Sequence, residues 1–169
     1  MKHTLLFLLM ICACTLQATA TGKQPRLTDD ELMTLVQKQT FRYFWDFAHP
    51  ESGLARERSN DRLEIATIGG SGFGVMAIIV GVERGFITRE QGAERLLKIV
   101  EFLNKADSYH GIWAHWMDGA TGKTIPFSRK DDGADLVESA FMFEGLLAAH
   151  QYFTHDNPTE NRIRGLINT

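Results

Sequence analysis

The sequence predicts an all-α protein, and three observations support this class. Apolar residues recur at three-to-four spacing over several long segments, which is the period of an amphipathic helix. Two capping boxes, Thr28 with Glu31 and Thr88 with Gln91, mark helix N-termini. The sequence shows no self-similar period of about 34 residues, which argues against short-repeat solenoids but leaves paired-helix barrels open.

About five helices are expected in chain order. They are predicted over residues 28–48, 75–84, 89–106 and 134–153, with a last helix starting at Thr159. The glycine-rich run 69–74 is expected to form a tight loop with a close backbone approach before the second helix. The last helix has no stop signal before Thr169, so we expect the chain to end in mid-helix and to be a portion of a longer protein.

A β-hairpin is expected in the middle of this helical series. Residues 112–116 and 123–127 flank the turn-rich segment 118–122, Asp-Gly-Ala-Thr-Gly. Residues 61–67 are expected to be a loop or a short strand.

The first 20 residues have the features of a secretory signal peptide. Lys2 and His3 precede the apolar run 5–16, which is well short of the roughly 20 residues that span a membrane. Ala18-Thr19-Ala20 supplies the small-x-small pattern of a signal peptidase site. We therefore expect no transmembrane span, export to the periplasm and cleavage after Ala20.

A lipid anchor is the alternative to a cleaved signal, because residues 11–14 form a crude lipobox with Cys14 at its end. Both cysteines, Cys12 and Cys14, lie within the signal, so the mature chain would hold no disulfide and no thiolate ligand. Residues 21–27 are expected to be a polar tether, and residues 28–169 the domain.

Composition excludes several classes of function. The chain is 44% apolar, which is enough for a sizeable core. Its net charge is -3, with both signs interspersed, and this makes nucleic acid an unexpected partner. No cofactor is expected, because the glycines of 69–74 do not follow the G-x-G-x-x-G spacing and no P-loop lysine follows them. His110 and His115 lack an obvious third ligand, so no metal is expected either.

The densest group of candidate catalytic residues is acidic. Asp131, Asp135 and Glu138 stand at i, i+4 and i+7, which in a helix would place the three carboxylates on one face. Clustered carboxylates push one another's pKa values apart and can so supply an acid and a base at one pH. The alternative is that acids collect in the first turn because the helix dipole stabilises negative charge there.

Candidate substrate-binding residues lie upstream of these acids. Trp113 and Trp116 could stack on sugar rings, and His115 could donate or accept hydrogen bonds beside them. The alternative for both tryptophans is a place in the core. Arg58 follows a turn at Ser52-Gly53 and could pair with the acids or remain solvated.

Four motifs carry a resemblance to a known family. They are FRYFWDF at 41–47, GLARER at 53–58, GSGFGVMA at 70–77 and DDGADLVE at 131–138. In this order they resemble the glucoamylase-like domain family of the Bacteroidetes, which is related to the endo-β-1,2-glucanases of glycoside hydrolase family 144. The match runs from about Leu27 to the end of the chain and covers only the front of the family domain.

The resemblance implies an (α/α)6 barrel that hydrolyses a glucan with inversion at the wide end of the barrel. It places Asp131, Asp135 and Glu138 at acidic positions in the centre of the cavity and leaves open which one is acid or base. It also implies that a partner carboxylate lies beyond Thr169, so the chain by itself is expected to be inactive.

The expected substrate is β-1,2-glucan or its oligosaccharides. An α-glucan remains the alternative that the name glucoamylase suggests. A non-catalytic carbohydrate-binding helical module, and a lyase that favours acidic substrates, also remain open. Endo or exo action and the oligomeric state are not predicted.

Overall fold

The structure is a computed structural model that describes residues 26–60 and 62–169. The chain divides into two compact units, 1–34 and 35–169. The predicted signal peptide, Cys14 and the first five residues of the predicted tether lie outside the described residues. Within the described residues, no helix is long and apolar enough to cross a membrane.

The predicted helical class is confirmed for the part of the chain that the structure describes. That part contains α1 (Asp29–Trp45), α2 (Ile68–Glu83), α3 (Arg89–Leu103), α4 (Leu136–Tyr152) and α5 (Pro158–Ile167). Both predicted capping boxes form. The Glu31 N–H donates to Thr28 Oγ1 and the Thr28 N–H donates to Glu31 Oε2, and the same reciprocal pair joins Thr88 and Gln91.

Two small antiparallel sheets lie between the helices. Their strands are β1 (Ile65–Thr67), β2 (Ser108–Tyr109), β3 (Ile112–Trp113), β4 (Trp116–Asp118) and β5 (Thr124–Ile125). Strands β4 and β5 form the predicted hairpin. Strand β1 pairs with the free edge of β4, where Thr67 lies opposite Trp116. Residues 112–116 are not one strand as predicted. Ala114 and His115 separate β3, which pairs with β2, from β4.

The predicted glycine loop over residues 69–74 is wrong, because α2 begins at Ile68 and contains these glycines. The predicted close backbone approach is confirmed. A Cβ on Gly72 would lie 2.2 Å from the carbonyl oxygen of Phe141, and a Cβ on Gly145 would lie 2.5 Å from the carbonyl oxygen of Gly72. Each glycine costs a helix about 1 kcal/mol relative to alanine, and tight packing of α2 on α4 offsets that cost.

The predicted acidic helix face is also wrong, because α4 starts only at Leu136. Asp135 is the N-cap, and its side chain accepts hydrogen bonds from the N–H groups of Val137 and Glu138. Asp131 lies in a turn before the helix, where it bridges to Ser128. An aspartate at an N-cap position favours ending the helix there over extending it, which is why the i, i+4, i+7 relation does not hold.

The predicted last helix is α5, and it continues to within two residues of Thr169. Helix α5 ends at Ile167, and Asn168 is its C-cap, with its N–H bonded to the carbonyl oxygen of Arg164.

The core lies where α2, α3 and α4 meet the first sheet. Its fully buried large side chains include Leu54, Ile68, Leu96, Ile99, Met117, Met142, Phe153 and Ile163. Arg89 at the start of α3 ties α5 to this core through a two-pronged ion pair with the buried Glu160.

A second set of large apolar side chains is exposed on three helices. It comprises Leu35 and Val36 of α1, Phe73, Met76 and Val80 of α2, and Leu136, Val137, Phe141, Phe143 and Leu147 of α4. Apolar exposure on this scale marks a surface suited to covering by another part of a protein or by a partner.

Candidate active site

His115 lies between two of the predicted carboxylates. Its Nδ1 is 3.1 Å from Asp135 Oδ2, and its Nε2 is 4.0 Å from Glu138 Oε1. The three side chains are 24%, 17% and 19% exposed in the order His115, Asp135, Glu138. The acids therefore meet around an imidazole that lies between β3 and β4.

Asp135 is engaged through both of its carboxylate oxygens. Oδ1 accepts the N–H groups of Val137 and Glu138 at 2.9 and 3.0 Å, so it caps α4. Oδ2 faces His115 Nδ1. An ionised carboxylate only accepts hydrogen bonds, and this assigns the hydrogen of that contact to Nδ1. Helix capping therefore explains the position of Oδ1, and the contact with His115 explains the position of Oδ2.

Glu138 is held by the N-terminus of a different helix. Its Oε2 accepts the Gly69 N–H at 2.9 Å, at the start of α2, and lies 3.5 Å from Thr67 Oγ1. Free N–H groups and the helix dipole make this end of α2 a favourable place for an anion. A Cβ on Gly69 would lie 2.4 Å from the same Oε2, so only glycine leaves room for the carboxylate.

Asp131 reaches the same place from a tight turn. Its N–H donates to the Ser128 carbonyl oxygen at 3.1 Å, and its own carbonyl oxygen accepts the Phe127 N–H at 2.8 Å. The half-buried carboxylate has an oxygen within 4.8 Å of polar atoms of both His115 and Asp135. The three predicted acids therefore converge, although they do not share a helix face.

His115, Asp131 and Asp135 together could also ligate a cation, because each offers one ligand atom within 4.8 Å of the others. One imidazole and two carboxylates suit several divalent ions. The sequence offered no third ligand beside His110 and His115. In the fold, Asp131 and Asp135 join His115, and His110 is not part of this group. That the site uses no metal stays a prediction.

An exposed aromatic ring borders the acids. Phe127 stacks on His115 with ring centroids 4.2 Å apart and meets the edge of Trp116 at 4.7 Å. Phe127 is 47% exposed, whereas Trp116 is only 8% exposed. The sequence interpretation named Trp116 and missed Phe127. The position of Phe127 at the end of the predicted hairpin segment 123–127 was the signal that could have found it.

Trp113 is placed differently from the other predicted binding residues. Its indole N–H donates to the Leu103 carbonyl oxygen at 3.4 Å, and its ring packs on Phe143. The ring lines an apolar cavity of about 520 Å³ that none of the three carboxylates lines. Trp113 still contributes to the site through its backbone, since its carbonyl oxygen accepts the Asp135 N–H at 2.8 Å.

Arg58 pairs with its neighbour Glu57 and contacts it with both Nε and Nη2. This hydrogen bonding from Arg58 lowers the pKa of Glu57. Burial opposes the shift, and the nearby side chains of Arg58, Arg62 and His115 lower the pKa further. Glu57 is therefore a fourth carboxylate within electrostatic reach of His115, which the sequence interpretation did not include.

Three acidic side chains around one imidazole, beside an exposed aromatic ring, are the groups expected of a carbohydrate-active protein. Carboxylates supply the acid–base chemistry of glycoside cleavage, and aromatic rings offer apolar surface to sugars.

Comparisons with known proteins agree with this class. Over 142 residues the chain is 54% identical to the exo-β-1,2-glucooligosaccharide sophorohydrolase (non-reducing end) of Parabacteroides distasonis, a match that covers 83% of this chain and 20% of that protein. No family model matches the chain.

Two solved structures extend the comparison. A candidate glucoamylase from Bacteroides uniformis is 84% identical, with a TM-score of 0.85, over 86% of this chain and 36% of that one. The endo-β-1,2-glucanase of Chitinophaga pinensis, in complex with sophorotriose and glucose, is 51% identical, with a TM-score of 0.81, over 85% and 36% of the two chains.

The resemblance predicted from the sequence is confirmed, and the chain is a homologue of β-1,2-glucan hydrolases. It spans between 20% and 36% of the length of the proteins that it matches.

Proposed function

We propose that this chain is part of an exported glycoside hydrolase that cleaves β-1,2-glucan or its oligosaccharides. The observation that carries the proposal is the convergence of Asp131, Asp135 and Glu138 around His115. Homologues that are named as hydrolases of β-1,2-linked glucans support the choice of substrate.

The complete enzyme is proposed to be an (α/α)6 barrel. A dozen helices of about 11 to 12 residues each are needed for such a barrel, and the described residues supply five. The exposed apolar side chains of α1, α2 and α4 would then face further helices of the same protein. The limited share of each relative that the chain covers supports this arrangement.

Hydrolysis is proposed to proceed with inversion. One carboxylic acid protonates the glycosidic oxygen while a carboxylate activates water on the opposite face of the sugar. The two groups must stand about 6.5 to 9.5 Å apart for that water to fit. We propose that Asp131 or Glu138 supplies one of the two groups, and that the other belongs to the rest of the enzyme.

Binding of the sugar is proposed to use the ring of Phe127, whose exposed fraction leaves it open to a ligand. Arg58, 42% exposed beside Glu57, is a second proposed contact. His115 is the third, because its Nε2 lies toward Glu138 and is not used by Asp135.

The test is a substrate panel on the full-length enzyme. Reducing ends are measured with β-1,2-glucan, starch and an acidic polysaccharide, and the anomer of the first product is followed by ¹H NMR. The proposal expects release from β-1,2-glucan alone, with the α-anomer formed first. Starch cleavage alone would favour an α-glucanase, an unsaturated product a lyase, and binding without release a carbohydrate-binding module.

A further inference from the structure

The three acids do not have equivalent surroundings, and the difference separates their roles. Building on the proposed function, we propose that Asp135 is a positioning residue that acts through His115 and is neither the acid nor the base of the reaction. His115, set by Asp135, then presents Nε2 to the sugar beside Glu138.

Both oxygens of the Asp135 carboxylate are engaged within the protein. A catalytic acid or base needs an oxygen within hydrogen-bond reach of the reacting group. Asp135 Oδ1 accepts two helix N–H groups, and Oδ2 faces His115 Nδ1. Proton transfer by Asp135 would require it to give up the α4 cap or the imidazole.

Asp135 and Phe127 together orient the imidazole of His115. Asp135 places the hydrogen on Nδ1, and the stacked ring of Phe127 holds the ring plane from one side. Nε2 then lies 4.0 Å from Glu138 Oε1, too far for a direct hydrogen bond. A sugar hydroxyl between these two atoms could donate its hydrogen to Nε2 and accept the hydrogen of a protonated Glu138, which gives the pair a chemical use that a direct contact would not.

A carboxylate that fixes the tautomer of a histidine prepares the imidazole for hydrogen bonding at its other nitrogen. Asp135 can do this because its hydrogen bonds to the start of α4 immobilise it. The same residue therefore joins the start of α4 to the site.

One measurement reads the tautomer directly and needs no enzymatic activity. Two-dimensional long-range ¹H–¹⁵N NMR on the full-length protein should show the His115 proton on Nδ1. In Asp135→Asn the amide oxygen still caps α4, since asparagine is as good a cap as aspartate. Its NH₂ group then faces Nδ1, and the proton should move to Nε2.

His49 serves as the internal control. Its Nδ1 accepts the Glu51 N–H and its Nε2 faces Glu64, so its proton should lie on Nε2 in both proteins. A His115 without a proton on Nδ1 in the wild type would overturn the inference. So would a tautomer that Asp135→Asn leaves unchanged while its circular dichroism is that of the wild type.

The kinetic test is a double-mutant cycle on β-1,2-glucan. Asp135→Asn and His115→Gln should each lower kcat by about ten- to a hundredfold, the usual cost of losing a group that orients another. The double variant should be no slower than His115→Gln, because Asp135 acts only through His115. Multiplied losses would overturn the inference. A wild type without glucanase activity would instead refute the proposed function and leave the NMR result to decide this inference.

Discussion

The backbone N–H of Gly69 donates to Glu138 Oε2 over 2.9 Å, and a side chain at position 69 would have to occupy the place of that oxygen. The two residues are 69 positions apart in the chain. The glycine-rich start of α2 thus serves the site as well as the packing of α2 on α4.

Gly69→Ala should lower kcat on β-1,2-glucan by at least about tenfold, because the added Cβ would displace the Glu138 carboxylate. Steady-state kinetics on the full-length enzyme checks this. Gly165→Ala in α5 is the matched control, since nothing lies within 4 Å of its Cβ position. The control should gain up to about 1 kcal/mol of stability and keep its kcat. An unchanged kcat in Gly69→Ala would show that the position of Glu138 is not critical.

Much of the helical fold could be predicted from the sequence because its signals are local. Thr28 with Glu31 and Thr88 with Gln91 satisfy helix N-termini within four residues, whatever the rest of the chain does. The start of α2 could not be predicted in this way. Glycines weaken a helix locally, and the partner that favours them, Gly145 on α4, lies 73 positions from Gly72 and is visible only in the fold.

The acidic cluster was found for a reason that the structure corrects. Asp135 followed three residues later by Glu138 also fits a helix N-terminus, and α4 does start there, at Leu136, two residues after the predicted start at residue 134. The approach of Asp131 to His115 depends on the turn before α4, which sequence spacing does not reveal. The sequence therefore singled out three acids that the structure brings together at His115, and it did not single out Phe127 or Glu57.

Phe127→Ala should raise KM for β-1,2-gluco-oligosaccharides by about three- to tenfold with little change in kcat, because a ring that only stacks on sugar binds ground and transition states alike. Initial rates over a range of oligosaccharide concentrations check this. Trp116→Ala should instead lose about 3 to 5 kcal/mol of stability, since Trp116 is only 8% exposed. A KM effect confined to Trp116→Ala would contradict the assignment of the binding ring.

The free energy of unfolding should decrease at acid pH because Glu160 becomes protonated there. Burial would raise the pKa of Glu160, but hydrogen bonds from the Arg89 side chain, the His155 N–H and the Asn157 side chain outweigh it and lower the pKa to about 2. Because the pKa of Glu160 is lower in the folded state than its unfolded value of about 4.3, Glu160 stabilises the fold at pH values above about 4.3. That stability should be lost as pH falls from about 5 toward 2.

Glu160→Gln is the variant that isolates this effect. It should lose about 2 to 3 kcal/mol at pH 7, because Arg89 is left without its charged partner. Urea unfolding between pH 2 and pH 7 should show a shallower pH dependence for Glu160→Gln than for the wild type. Arg162→Gln is the control, since its pairing with Glu101 is exposed and should contribute little. Parallel pH curves for Glu160→Gln and wild type would contradict the prediction.

Residues 21–169 expressed alone should release no sugar from β-1,2-glucan and should melt at a lower temperature than the full-length protein. The reason is the exposed apolar set on α1, α2 and α4, which the proposed barrel would cover. Differential scanning calorimetry and a reducing-end assay check both parts. A fragment that melts cooperatively at the temperature of the full-length protein, or that hydrolyses the glucan, would contradict this account.

The most direct test of the central claim is the turnover of Asp131→Asn and Glu138→Gln in the full-length enzyme, measured as reducing ends released from β-1,2-glucan. Each variant keeps the shape of its side chain and removes its acid–base chemistry. The account predicts that at least one of them lowers kcat by about a hundredfold or more, the usual worth of a general acid or base, while both keep the wild-type Tm within a few degrees. Near-wild-type turnover in both variants would contradict a catalytic role for this carboxylate cluster.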